Sequence, residues 1–208
     1  MNILYKHWRS GLFRMRQMRE FTKEKFSGLN FSSRVSKQEA GTADYSDSQI
    51  YESSAFAPEL KKALDYCSIN QHDGILDYGC GKGAVLALFS HYPFGKIAGI
   101  ELSAKLVEIA RENLRKLKLK DILLINADAT TFKDIDEFNY FYFFNPFQGH
   151  IFKCVIDNII ESIHRHPRTV RLLYFFPVCH QVIEDSGNFE LEKKFVDASR
   201  SLNIYHNM

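Results

Sequence analysis

Apolar and polar positions along residues 58–206 form a pattern typical of a sheet interleaved with helices. Short, mainly apolar runs predict buried strands at Lys96–Ile100, Ile122–Asn126, Tyr140–Phe144 and Val170–Phe176. The aromatic runs FNYFYFFNPF and LLYFF favour strands that are covered on both faces. Two alternating stretches in the tail, Asn188–Phe195 and Ser201–His206, suit an antiparallel pair at one sheet edge. The pattern therefore predicts an α/β fold.

Helical spacing of apolar residues predicts the elements between these strands. Pro58 suits a first helical turn, and it precedes a stripe made of Leu60, Ala63, Leu64 and Cys67. Ser103 can cap a second helix, whose inward face would consist of Leu106, Ile109, Ala110, Leu114 and Leu117. Further helical stretches are expected at Ile151–Ile163 and Val178–Asp185.

The first predicted strand leads from Ile75 into Asp77, and three alternating glycines follow it at Gly79, Gly81 and Gly83. Glycine suits a tight turn from strand to helix, because a Cβ atom would hinder positive φ or the close approach of a ligand. Such a turn also directs backbone N–H groups at the start of the next helix toward a ligand above the strand.

Polar residues stand at the end of four predicted strands, namely Asp77, Glu101, Asp128 and Asn145. Ligands of open α/β sheets bind at the carboxyl ends of the strands. Glu101 comes 18 residues after Gly83, near the spacing at which dinucleotide-type folds place a ribose-binding carboxylate. This edge is therefore the expected site for a nucleoside cofactor.

The segments DYGCGKG, GIELS, NADA and FFNPF resemble the class I methyltransferases that depend on S-adenosylmethionine (SAM), over roughly residues 50–180. The resemblance implies a Rossmann-like, mostly parallel seven-stranded sheet with helices on both faces and an antiparallel C-terminal edge. It implies that Glu101 holds the ribose of SAM, that Leu102 packs on adenine and that Asp128 contacts the adenine amino group. The methionine part would meet the loop containing Asp77, Gly79, Cys80, Gly81 and Gly83, and Ala129 would join the adenine site.

Two further segments are assigned roles by this resemblance. Tyr51 and Glu52 would form a rim over SAM, although a loop aromatic and a solvated acid explain them equally well. Asn145, Pro146 and Phe147 would form the catalytic turn, in which the Asn145 oxygen stabilises positive charge on an attacking nitrogen. Amino-group methyltransferases often carry Asn-Pro-Pro-aromatic here, and this chain lacks the second proline.

Charge is distributed unevenly along the 208 residues. Residues 1–37 contain nine Lys or Arg and two acids, a net charge of +7, whereas the remainder carries −5. We interpret residues 1–48 as a basic helical arm and linker, and residues 49–208 as the SAM-binding domain. The arm either packs on its own domain or contacts nucleic acid or an anionic surface.

Cysteine spacing and hydropathy restrict the remaining classes. The four cysteines form no CxxC motif, which argues against a zinc site and for reduced thiols in a cytoplasmic protein. No run approaches the roughly 20 apolar residues of a membrane span, and no secretory signal is visible.

The leading hypothesis is a SAM-dependent methyltransferase (EC 2.1.1.-) that acts on a nitrogen of a protein side chain, a nucleic-acid base or a small amine. One alternative is an oxidoreductase that binds a nicotinamide dinucleotide, although its usual loop is Gly-x-Gly-x-x-Gly. The other is a non-catalytic module that binds nucleic acid through the basic arm.

Overall fold

The computed structural model describes residues 27–31, 33, 35, 55, 57–147, 149–197 and 200–208. The predicted basic helix and the proposed domain boundary near residue 48 lie outside these ranges, so both stay predictions. No helix in the described ranges is long and apolar enough to cross a membrane.

Five helices and seven strands form the described fold. The helices are α1 (Pro58–Tyr66), α2 (Ala84–Phe89), α3 (Ala104–Lys116), α4 (Gly149–Arg165) and α5 (His180–Asp185). The strands are β1 (Gly74–Tyr78), β2 (Lys96–Glu101), β3 (Ile122–Asn126), β4 (Tyr140–Phe144), β5 (Arg171–Phe175), β6 (Phe189–Asp197) and β7 (Arg200–Asn207). These bounds agree with the sequence predictions to within a few residues.

All seven strands form one sheet in the order β3-β2-β1-β4-β5-β7-β6. The first five strands pair in parallel, whereas β7 pairs antiparallel with both β5 and β6. The chain order reverses between β1 and β4, which is the kind of switch point where open α/β sheets bind ligands. The predicted Rossmann-like fold with an antiparallel C-terminal edge is therefore confirmed.

Alternate residues of the central strands fill a hydrophobic core on each face of the sheet. On one face, Tyr78, Phe141 and Phe143 are buried in the core that includes residues of α4 and α5. On the other face, Tyr140 and Tyr142 are buried in the core that includes residues of α1 and α2. Because both faces are covered, the strands are apolar throughout, which explains the aromatic runs in the sequence.

Helix α3 confirms the predicted cap and corrects one predicted core residue. The Ser103 hydroxyl accepts a hydrogen bond from the Leu106 N–H, as a helix N-cap should. Leu117 was expected on the inward face, but its side chain is 38% exposed. The helix ends at Lys116, and the chain then turns through Lys118 at φ 60°, so Leu117 leaves the buried stripe.

Candidate active site

The three alternating glycines form the turn between β1 and α2. Gly79, Gly81 and Gly83 all have positive φ, at 77°, 54° and 80°. The N–H groups of Gly79 and Cys80 both donate to the Ile100 carbonyl on β2, at 2.9 and 3.0 Å. The loop is thereby fixed above the carboxyl ends of β1 and β2, as the sequence predicted.

Gly79 also brings this loop against the predicted catalytic turn. A Cβ atom at Gly79 would lie 2.7 Å from the Cβ of Pro146, which is closer than real Cβ contacts. Only a residue without a side chain permits this approach at φ 77°. The predicted cofactor loop and the Asn-Pro turn after β4 are therefore in direct contact.

Glu101 is buried at the end of β2, and its two oxygens hold the backbone around it. Oε2 accepts from the Gly81 N–H at 3.0 Å, and Oε1 accepts from the Ser103 N–H at 2.9 Å. Burial raises the pKa of Glu101, while backbone N–H groups at Ser103, Gly81 and Leu102 act against that rise. Each carboxylate oxygen has two lone pairs, so both can still accept a hydroxyl.

Asp77 is buried next to this carboxylate, on the neighbouring strand. Burial raises the pKa of Asp77 well above its usual range, and the charge of Glu101 raises it further. The thiol of Cys80 also has a raised pKa, because it is buried and because both acids lie nearby. Two acids held so close create a site that favours a cationic ligand.

Leu102 and Asp128 occupy the edge formed by β2 and β3. The Asn126 amide donates to the carbonyls of Glu101 and Leu102, both at 2.9 Å, which ties the two strand ends together. Asp128 Oδ1 accepts from the Thr130 N–H and hydroxyl, at 2.8 and 2.7 Å. Asp128 therefore shapes its own turn, while Ala129 packs partly against the core.

Asn145 has an unusual conformation at the end of β4. Its φ is 41°, a left-handed value that few non-glycine residues adopt, although Asn adopts it more often than most. Its side-chain Oδ1 is buried and accepts no hydrogen bond from the part of the chain that the structure describes. A buried amide oxygen without a partner is costly, so this atom is the strongest structural indication of a ligand-binding role.

The aromatic residues near this turn divide into two groups. Phe147 is 8% exposed, and its ring lies edge-on to Tyr78 with centroids 6.4 Å apart. Phe144 is only partly buried and stacks on Phe176, with centroids 5.9 Å apart. The ring of Phe147 is therefore part of the core, and Phe144 and Phe176 present the aromatic surface at this edge.

Two predicted positions complete the comparison with the sequence. Tyr51 and Glu52 lie outside the described residues, so their role as a rim over SAM stays a prediction. In the described ranges, no group of three or more His, Cys, Asp or Glu side chains is arranged to hold a metal ion.

Several polar groups in or near the site were not predicted from the sequence. Lys82 in the glycine loop is fully buried, and Glu59 in α1 is 1% exposed with no hydrogen bond to either carboxylate oxygen in the described structure. The Tyr78 hydroxyl is likewise buried without a partner among the described residues. The position of Lys82 inside a Gly-rich loop could have indicated from the sequence that it is functionally placed. The burial of Glu59, in contrast, depends on tertiary packing.

Comparison with known protein families identifies the type of domain in part of this chain. Residues 75–169 match the family model described as a methyltransferase domain, and this range contains β1 to α4 with the glycine loop and all four acidic or amide strand ends. Residues 75–169 therefore form a methyltransferase domain. The match is consistent with the predicted class I family and with its cofactor, SAM. The individual residues that hold it stay predictions.

Solved structures share the fold of this methyltransferase domain at low sequence identity. Ribosomal protein L11 methylase from Lactobacillus delbrueckii subsp. bulgaricus is 13% identical, with a TM-score of 0.57 over 76% of this chain and 80% of that one. SMU.1697c from Streptococcus mutans, solved in complex with SAH, is 14% identical, with a TM-score of 0.56 over 74% of this chain and 99% of that one. A search of curated proteins found no match.

Proposed function

We propose that this methyltransferase domain transfers the methyl group to a nitrogen atom, which binds beside the Asn145 side chain. The observation that carries the proposal is the buried Oδ1 of Asn145, which lacks a hydrogen-bond donor within the described residues. An amide oxygen can accept an N–H, so an acceptor amine would satisfy this atom. A thiol or carbon acceptor would leave it without a good donor, and a hydroxyl acceptor could donate but would also need a general base.

The local backbone supports a ligand-binding role for this oxygen. A buried acceptor without a partner costs about 1–3 kcal/mol. The left-handed φ adds a smaller cost, because Asn tolerates this conformation better than most non-glycine residues. Pro146 restricts the turn that holds Asn145 in this conformation. Strain and an unpaired polar atom at one residue are typical of a site whose geometry is completed by a ligand.

SAM supplies an activated methyl group, so the residues of the domain mainly position the acceptor. The Asn145 oxygen would accept one N–H of the acceptor and direct its lone pair toward the cofactor site. Its partial negative charge would also stabilise the positive charge that develops on nitrogen. Phe144 and Phe176 lie at the same edge, where their rings can contact a cationic amine.

The cofactor side fits SAM for a separate reason. The buried acids Asp77 and Glu101 favour a cationic ligand, and SAM carries both a sulfonium and an ammonium group. Oxygens of Glu101 retain lone pairs for the ribose hydroxyls. The family match also supports SAM over the nicotinamide alternative.

The test is transfer of labelled methyl from SAM to cell lysate that has been separated into protein, RNA and small-molecule fractions. Asn145→Ala should lower kcat by about 100-fold, the loss expected when one charge-stabilising group is removed. Its affinity for SAM should stay within about twofold of the wild type. Asn188→Ala is the matched control, because Asn188 precedes β6 at the opposite edge of the sheet. Full turnover by Asn145→Ala would contradict the proposal.

The class of acceptor remains a choice among a protein side chain, a nucleic-acid base and a small amine. The similar structures include a ribosomal protein methylase and an rRNA methylase from Streptococcus thermophilus, which is why the protein and RNA fractions are assayed separately. We also propose that the basic residues 1–37 contact the acceptor if it is nucleic acid. Methyl transfer should then fall steeply with salt.

A further inference from the structure

Lys82 connects the glycine loop to a segment that precedes the fold. Its side chain is fully buried, and its ammonium donates to Asn30 Oδ1 at 2.9 Å, to the Ser33 carbonyl at 2.6 Å and to the Ser33 hydroxyl. We call Gly28, Asn30, Phe31 and Ser33 the strap. Burying an ammonium group is costly unless its N–H groups are bonded, so these contacts hold the strap against the loop.

Asn113 of α3 holds the strap from a second direction. Its Oδ1 accepts from the Asn30 N–H at 2.8 Å, and its Nδ2 donates to the Asn30 carbonyl at 3.0 Å. The same Nδ2 donates to the Lys82 carbonyl at 3.1 Å. Asn113 thus joins the strap backbone to the loop backbone, although it is 83 residues away from Asn30 in sequence.

Further contacts hold other parts of the strap and of the loop. The exposed ammonium of Lys116 donates to the Gly28 carbonyl at 2.6 Å, and Phe31 is 6% exposed. In the glycine loop, the Gly81 N–H donates to the Glu101 carboxylate. The expected ribose-binding acid therefore holds the loop at Gly81, and the strap contacts hold it at the next residue, Lys82.

We propose that Lys82 is a positioning residue that couples docking of the strap to binding of SAM. The coupling follows from the geometry, because the loop that faces the cofactor is also the surface on which the strap docks. If docking of the strap holds the loop in the conformation that binds SAM, SAM binding must favour docking by the same factor by which docking favours SAM binding. SAM should thus strengthen strap docking, and loss of the strap contacts should weaken SAM binding although no strap residue need touch SAM.

The test combines SAM titration with hydrogen exchange of peptides that contain Asn30, whose N–H is bonded in the docked strap. Lys82→Met keeps most of the length of the side chain and removes its donors, and Asn30→Ala removes an acceptor while leaving the loop sequence unchanged. We expect exchange at the N–H of residue 30 to accelerate by about tenfold in each variant. That factor corresponds to a loss of about 1.4 kcal/mol in the free energy of strap docking. The Kd for SAM should rise by about tenfold in Lys82→Met and by about threefold or more in Asn30→Ala. SAM should slow the exchange in the wild type.

A double variant separates coupling from general damage. If Lys82 acts through the strap, Lys82→Met combined with Asn30→Ala should bind SAM within about twofold of Lys82→Met alone, because both changes break the same contact. Lys120→Ala, an exposed lysine at the amino end of β3, should change neither readout.

Three results would overturn the proposal: unchanged exchange at Asn30 in Lys82→Met, faster exchange with SAM affinity unchanged in both single variants, or additive losses in the double variant. If Lys82→Met does not fold, Asn30→Ala decides alone through the same two measurements. The experiment needs no methyl acceptor, so its outcome is independent of the proposed nitrogen chemistry.

Discussion

Replacing Gly79 by alanine tests the contact between the glycine loop and the Asn-Pro turn. Alanine at φ 77° costs about 1–2 kcal/mol from the left-handed backbone alone. The added Cβ would also lie 2.7 Å from the Pro146 Cβ, and overpacking of this kind costs about 1–3 kcal/mol more. We expect Gly79→Ala to lower the free energy of unfolding by about 2–5 kcal/mol, the sum of these two costs.

Gly187 supplies a matched control for the backbone cost. Its φ is 62°, but a Cβ there would meet no atom within 4 Å. Gly187→Ala should therefore lower the free energy of unfolding by only about 1–2 kcal/mol. Urea denaturation of both variants measures the difference, and SAM titration should show weaker binding for Gly79→Ala alone. Equal losses of stability in the two variants would refute the claim that Gly79 is required by its approach to Pro146.

Two further substitutions test the buried acids. Asp77→Asn should stabilise the SAM-free protein above about pH 4. Because the pKa of Asp77 is raised in the folded state, the folded protein keeps the Asp77 proton at pH values where the unfolded chain has released it. The stability of the wild type therefore falls as pH rises through this window, and Asn avoids that loss. The same variant should bind SAM less tightly, and a denaturation series from pH 4 to 8 with and without SAM checks both; a variant less stable than the wild type across this range would contradict the reasoning. Glu59→Met should raise the free energy of unfolding by about 1 kcal/mol or more, because both Glu59 oxygens are buried without partners in the described structure. The exposed Glu108→Met is its control, and a destabilised Glu59→Met would show that the carboxylate has a stabilising role.

The positions of the strands along the chain and the main ligand-binding edge could be predicted from the sequence because both depend on local patterns. Asp77 and Glu101 stand directly after apolar runs, and Ser103 precedes a helical stripe at the spacing of an N-cap. Parallel strands bring their carboxyl ends to one edge, so residues far apart in sequence could be assigned to one site. The same reasoning predicted that Asn145, at the carboxyl end of β4, lies near the glycine loop.

Features that depend on tertiary contacts could not be predicted from local sequence patterns. Helical spacing predicted that Leu117 is buried, but the helix had already ended one residue earlier. Phe147 was predicted to belong to the catalytic turn, yet its ring packs on Tyr78 in the core. The contact between Lys82 and Asn30 joins residues 52 positions apart, and no periodic pattern connects them.

A structure of the domain with SAM bound tests the central claim most directly. The account predicts that the methionine part lies above the glycine loop at residues 79–83 and that the ribose hydroxyls bond to the Glu101 carboxylate. It also predicts that the sulfonium methyl faces the Asn145 turn. SAM bound elsewhere, or a nucleoside whose ribose makes no contact with Glu101, would contradict it.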